Sequence, residues 1–167
     1  EREPSQLDNS WVQFISLGLA LLFLSRQDAS DATIETLKAI EHPVSREAQI
    51  LVDACSYAGT GNVLKIQSLL HDCAEHVTPD SKKEGGSEQT ANESEGARNW
   101  YQAFSVLAIA LVAMGEDVGA EMTLRHMSHL MHYGDPVIRR TVPLALALLN
   151  PSNPVITVLD RSEEHTS

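Results

Sequence analysis

Four strongly apolar stretches of the chain each end in a turn residue and share one arrangement of positions. The stretches cover residues 14–25, 48–59, 104–115 and 141–150, and their turn residues are Ser25, Gly59, Gly115 and Asn150. Successive turn residues lie 34, 56 and 35 positions apart, and the middle spacing equals 35 plus a polar stretch of 21 residues. A period in this range is typical of stacked helix pairs, in which no pair buries its apolar face alone.

Two further positions repeat in register with the turn residues. An alanine stands five residues before each turn, at Ala20, Ala54, Ala110 and Ala145, and an aliphatic residue stands eight before, at Leu17, Leu51, Leu107 and Val142. A small side chain at a fixed point lets helices approach closely, while leucines fill the space around it. The pattern predicts an all-α fold, an α-solenoid arc of about four stacked antiparallel helix pairs over residues 11–160, with the last pair incomplete.

The segments beside these stretches predict the remaining helices. Residues 31–40 place their aliphatic side chains on one face, as in an amphipathic helix, and His42-Pro43 is expected to end it. A further helix is expected from Asn62, whose side chain suits the capping position, to residue 76. The run 11–24 is almost wholly apolar, which predicts a helix buried on most of its sides.

Three segments are expected to lie outside the repeats. Residues 1–10 are predicted to be a frayed polar lead-in, and residues 78–98, which contain no large apolar side chain, a disordered insertion. The last seven residues, 161–167, resemble the translation of a sequencing-library adapter and are predicted to be a non-native tail. On this interpretation the chain is an internal fragment of a longer protein.

The acidic composition narrows the range of partners. A net charge of −11 argues against nucleic-acid binding, which needs clustered lysine and arginine, and favours a basic protein partner. The apolar run at 14–24 is too short to cross a bilayer, and two cysteines are too few for a disulfide scaffold. The chain is therefore expected in the cytoplasm and nucleus, with neither a membrane nor a nucleic-acid partner.

Three groups of residues suggest chemistry, but ordinary packing explains each of them better. His126 and His132 lie about 240° apart on a helical wheel, so they cannot share one zinc ion with the intervening His129. The turn at 59–61 lacks the lysine and serine or threonine of a phosphate-binding loop. Cys55 and Cys73 lie in apolar surroundings and are predicted to be buried structural thiols. No catalytic residue, cofactor or metal site is predicted.

Two longer strings resemble a known family of helical repeats. They are LVDACSYAGTGNVLKIQSLL at 51–70 and AMGEDVGAEMTLRHMSHLMHYGDPVIRRTVPLALALLNPSNP at 113–154, and the segment HLMHYGDPVIRR at 129–140 is the most specific part. They resemble the proteasome/cyclosome repeats of the large scaffold subunits in the proteasome regulatory particle. The resemblance covers about residues 11–160 and implies a closed toroid of helix pairs, of which this chain would form an arc.

The same resemblance implies a function and a set of partners. It implies a non-catalytic scaffold of the 26S proteasome regulatory particle that supports ubiquitin-dependent degradation. The implied partners are the base ATPase subunits, ubiquitin, ubiquitin-like domains of shuttle receptors and a deubiquitinating enzyme. Ubiquitin contacts in the family use acidic side chains on outer helices, which Asp28, Asp31 and Glu35 resemble in this chain.

Other interpretations remain open on the residues alone. The three carboxylates also suit the start of a helix, where the helix dipole favours negative charge. Asp31 and Glu35 share one helical face, so they could equally steer a basic partner. The alternative function is a helical-repeat adaptor in another multiprotein complex, such as a ubiquitin ligase. A third hypothesis, after the scaffold and the adaptor, is an all-helical enzyme.

Overall fold

A computed structural model of the chain describes residue 7 and residues 9–75 and 100–151. These residues form seven α-helices and one 3-10 turn, and they contain no strand. The helices are α1 (Ser10–Leu22), α2 (Asp31–Lys38), α3 (Pro43–Ser56), α4 (Val63–Ala74), α5 (Trp100–Ala113), α6 (Asp117–Tyr133) and α7 (Pro136–Leu149), and the 3-10 turn is Gln27–Ala29. The all-α prediction is confirmed. The predictions for the insertion 78–98, the tail 161–167 and most of the lead-in fall outside the described residues.

The helix starts follow local capping chemistry. The Asn62 side-chain oxygen accepts hydrogen bonds from the amides of Leu64 (3.1 Å) and Lys65 (3.2 Å), as the sequence predicted. Pro43 opens α3, because its fixed φ suits the first helical position. The His42 ring accepts the Val44 amide at 3.2 Å and caps this helix. The helix α7 begins at Pro136 and continues through Pro143.

The helices form two layers, and each outer helix packs on the next unit. The inner layer contains α1, α3, α5 and α7, each in contact with its neighbour along the row. The outer helices α2 and α4 pack mainly on α3 and α5, the inner helices that follow them in the chain. Each outer helix thereby joins two consecutive units of the solenoid.

The repeated alanines lie at the contacts between inner helices. Ala20, Ala110 and Ala145 have no exposed surface and Ala54 is 4% exposed, as predicted for points of close approach. The main core surrounds α5, which contacts α3, α4, α6 and α7. The aliphatic position eight residues before the turn is less uniform, because Val142 is buried whereas Leu17 on α1 is exposed.

Backbone hydrogen bonds connect the turns of consecutive units in the same register. The amide of Ser25 donates to the carbonyl of Cys55 at 3.0 Å, and that of Gly59 donates to Leu111 at 2.9 Å. Each acceptor lies four residues before the next turn residue. Ser25 and Gly59 both have positive φ, 59° and 69°, which turns the chain back toward the neighbouring unit.

The prediction that the run 11–24 is buried on most sides is wrong for the described residues. Among them, α1 packs chiefly against α3, so Ala20 and Ser16 are buried on that side. The opposite face exposes large apolar side chains, among them Trp11 (71%), Phe14 (68%) and Ile15 (67%). In α3 and α5 the equivalent faces are covered because inner helices lie on both sides of them. None of the described helices is long and apolar enough to span a bilayer.

Glu47 on α3 is a buried carboxylate, and it gives a pH-dependent prediction. Burial raises the pKa of Glu47 above its ordinary value of 4.5, although His42 partly opposes this. Because its pKa is raised in the folded state, the contribution of Glu47 to stability is fully present below its ordinary pKa of 4.5 and is lost as the pH rises through the folded pKa. Glu47→Gln should therefore raise the unfolding temperature at neutral pH and lose this advantage in acid.

Thermal unfolding followed by circular dichroism in neutral and acidic buffer measures this difference. Glu41→Gln is the control for the loss of one negative charge, since Glu41 is exposed and lies just before α3, six residues before Glu47. An equal gain from both variants, or a gain from Glu47→Gln that persists in acid, would contradict the prediction.

Candidate functional site

A groove of about 530 Å³ lies on the outer side of the solenoid, between α2 and α4 and above α3. It forms because α2 is only eight residues long and packs on α3, so the outer layer is open beside it. The lining residues are Asp31, Ile34, Glu35 and Lys38 from α2, Arg46, Gln49, Ile50 and Asp53 from α3, and Lys65, Ser68, Leu69 and Asp72 from α4. The lining thus contains four carboxylates, three cations and three aliphatic residues, of which Ile50 and Leu69 are buried.

Arg46 is held at one end of the groove by several contacts. Its guanidinium lies 3.0 Å from Asp72 and 2.7 Å from Glu75, and it stacks 4.0 Å from the centre of the Tyr101 ring. Tyr101 donates a hydrogen bond to the same Glu75 carboxylate, and the Gln102 amide donates to the Glu75 carbonyl at 2.8 Å. The Arg46 guanidinium, through its hydrogen bond, lowers the pKa of Glu75. This network fastens the end of α4 to the start of α5.

Lys65 is held at the other end in a similar way. Its ammonium group lies 2.9 Å from the Asp53 carboxylate and 4.7 Å from the centre of the Tyr57 ring. The side chains of Lys65 and Asp53 are 29% and 28% exposed, so this pair is partly shielded from water. Asp53 and Asp72 are therefore occupied by cations of the chain itself.

Asp31 and Glu35 are the accessible carboxylates of the groove. Asp31 is the first residue of α2 and is exposed, and Glu35 follows one turn later with a side chain that is 71% exposed. Glu35 pairs with Lys38 on its own helix at 2.7 Å, and both side chains remain largely in water. This rim can offer negative charge to a partner without breaking a shielded ion pair.

The structure places two of the predicted contact residues, Asp31 and Glu35, in the lining of this groove. The third, Asp28, belongs to the 3-10 turn immediately before α2. Sequence reasoning missed Arg46, Asp53, Lys65 and Asp72. Arg46 and Asp72 are 26 residues apart, and no motif or period in the sequence relates them.

The cysteines and histidines do not form a second site in the described residues. Cys55 and Cys73 are buried, as predicted, and desolvation by burial raises the pKa of Cys73 to about 12. At neutral pH this thiol stays protonated and is a poor nucleophile. Within residues 9–75 and 100–151, no group of three or more histidine, cysteine or acidic side chains could hold a metal ion.

Fold and groove together define the chain as an arc of an α-solenoid whose outer layer carries a charged groove. No family model matches the chain. It is 54% identical over 160 residues to the 26S proteasome regulatory subunit rpn1 of Schizosaccharomyces pombe, and 45% identical over 151 residues to the 26S proteasome non-ATPase regulatory subunit 2 of Dictyostelium discoideum. Homolog A of that subunit in Arabidopsis thaliana is 38% identical over 160 residues.

The three alignments cover 96%, 90% and 96% of this chain, but only 16%, 15% and 16% of the relatives. The chain belongs with the 26S proteasome regulatory subunits named Rpn1 or non-ATPase subunit 2, which confirms the resemblance seen in the repeat strings. It spans about a sixth of the length of the curated relatives that it matches.

Proposed function

We propose that this chain is a non-catalytic scaffold segment of the 26S proteasome regulatory particle, and that its α2–α4 groove docks ubiquitin or a ubiquitin-like domain. The relatives are named as proteasome regulatory subunits, which supports the scaffold role. On this proposal the chain works in the cytoplasm and nucleus, together with the base ATPase subunits and a deubiquitinating enzyme. The comparisons favour this role over an adaptor in a ubiquitin ligase.

The observation that carries the docking proposal is the division of charge in the groove. Asp53 and Asp72 are paired with Lys65 and Arg46 and are partly shielded from water, so they contribute little to the electrostatic potential that a partner meets. Asp31 and Glu35 remain exposed on one helical face at the edge of the groove. Exposed carboxylates placed in this way steer a basic partner and fix its orientation.

Charge reversal on α2 tests the docking proposal. Asp31→Arg combined with Glu35→Arg should weaken the binding of monoubiquitin about tenfold or more, since attraction becomes repulsion at the rim. Titration calorimetry or NMR shift perturbation with the 167-residue chain measures the dissociation constant. Both positions are exposed, so the fold should be unchanged, as circular dichroism can verify.

The chain offers a matched control on α6. Asp117 is also the first residue of an outer helix, and Glu121 follows it by four residues with an exposed side chain. Asp117→Arg combined with Glu121→Arg changes the net charge by the same amount, but at residues that do not line the groove. Equal weakening by the two double variants, or no effect of either, would refute docking at the groove.

A further inference from the structure

The three cations that line the groove differ in how firmly they are held. Arg46 contacts two carboxylates and a tyrosine ring, and Lys65 contacts Asp53 and the Tyr57 ring. Lys38 instead pairs with one carboxylate, Glu35, on its own helix. Of the three, Lys38 is the cation that can leave its partner without disturbing the contacts between helices.

The Lys38–Glu35 pair lies in water. The two atoms are 2.7 Å apart, but the side chains are 54% and 71% exposed. The hydrogen bond with Glu35 raises the pKa of Lys38, and the charges of Asp53 and Asp31 act in the same direction. The Lys38 ammonium group is therefore fully charged at neutral pH and stands at the side chain that a basic partner would need.

We infer that Lys38 is a built-in competitor for Glu35, which weakens docking of a basic partner at the groove. This inference rests on the proposed docking function and identifies how that site is regulated. While the groove is empty, the Lys38 ammonium occupies Glu35. A lysine or arginine of the partner has to displace it, and meets its positive charge on approach.

The effect is expected to be modest and to depend on salt. Exposed pairs of this kind are weak, so displacement of Lys38 is easy and the penalty on affinity is small. Neutralising Lys38 should tighten monoubiquitin binding about two- to fivefold at low ionic strength, where exposed charges are least screened. At about 0.5 M salt the gain should largely disappear, because the screening length falls well below 10 Å.

The test compares three single variants of the 167-residue chain with monoubiquitin as the probe. Lys38→Gln removes the charge and keeps a side chain suited to a helix, while Lys38→Arg retains the charge and should bind like the parent chain. Arg125→Gln is the matched control, because Arg125 pairs at 3.0 Å with Glu121 on its own helix and is also exposed. Only Lys38→Gln should tighten binding.

A double variant distinguishes competition for Glu35 from simple repulsion between the Lys38 charge and a basic partner. If Lys38 acts by occupying Glu35, the gain from Lys38→Gln should shrink once Glu35→Gln has removed the contested carboxylate. A gain that persists unchanged in the Glu35→Gln background, or an equal gain from Arg125→Gln, would overturn the inference.

The remaining outcomes distinguish the two proposals. If charge reversal at Asp31 and Glu35 weakens binding but Lys38→Gln has no effect, docking stands and the competitor role of Lys38 falls. If the parent chain and all of the variants fail to bind monoubiquitin, the docking proposal and this inference fall together.

Discussion

Replacing Ile109 with alanine is expected to lower the free energy of unfolding by about 2–5 kcal/mol, because it leaves a cavity in a close-packed core. Ile109 has no exposed surface and lies on α5, which packs against four other helices. Neighbouring helices held on all sides cannot easily move to refill the space. Denaturant unfolding followed by circular dichroism measures the loss.

The control for this variant is the same substitution at an isoleucine that is exposed to solvent. Ile15 lies on the open face of α1 and is 67% exposed, so Ile15→Ala removes the same atoms from a side chain that is mostly in water. Its effect should stay within about 0.5 kcal/mol, as is usual for surface substitutions. Similar losses from Ile15→Ala and Ile109→Ala would mean that α5 is not the centre of the core.

Replacing Ala110, the neighbour of Ile109 on α5, with a larger residue should destabilise the fold by overfilling the core instead of leaving a cavity. Ala110→Leu adds three carbons at a position with no exposed surface, and overpacking of this kind costs about 1–3 kcal/mol, occasionally more. The helices around α5 would have to move apart, which would also disturb the backbone hydrogen bond that Leu111 accepts from Gly59. The unfolding midpoint of Ala110→Leu measures this cost.

Ala147→Leu on α7 is the matched control, because Ala147 is an exposed alanine of another inner helix. It should change the unfolding midpoint little. If Ala110→Leu were as well tolerated as Ala147→Leu, the repeated alanine would reflect helix propensity alone and would not mark a point of close approach.

The acidic rim and the rest of the groove differ in how far the sequence could predict them. Asp31 and Glu35 share a face of one short helix, so their proximity follows from helical spacing. Their assignment as contact residues came from the family resemblance, and it stays a prediction. The pairing of Arg46 with Asp72 could not be predicted, since it depends on where α3 and α4 lie relative to each other in the folded chain.

The groove distinguishes two acidic helix starts, on α2 and α6, as candidate docking sites. Asp31 and Asp117 both begin outer helices, and each is followed by a glutamate four residues later. The two sites look alike in sequence, but only Asp31 and Glu35 line the groove beside the short helix α2. The open space is a property of the packing of several helices, and no local signal records it.

The sequence by itself determined the helical class, the register of the repeats and most of the turns. Alanines at one offset, glycines before a change of direction, and the Asn62 cap act within a few residues, so local chemistry suffices to place them.

Only the tertiary structure decided that each outer helix packs on the following unit, that α1 has one open face, and that the groove cations are held unequally. These features depend on which surfaces come into contact between helices that are distant in the chain. Those contacts decide which side chains are buried and which charges pair.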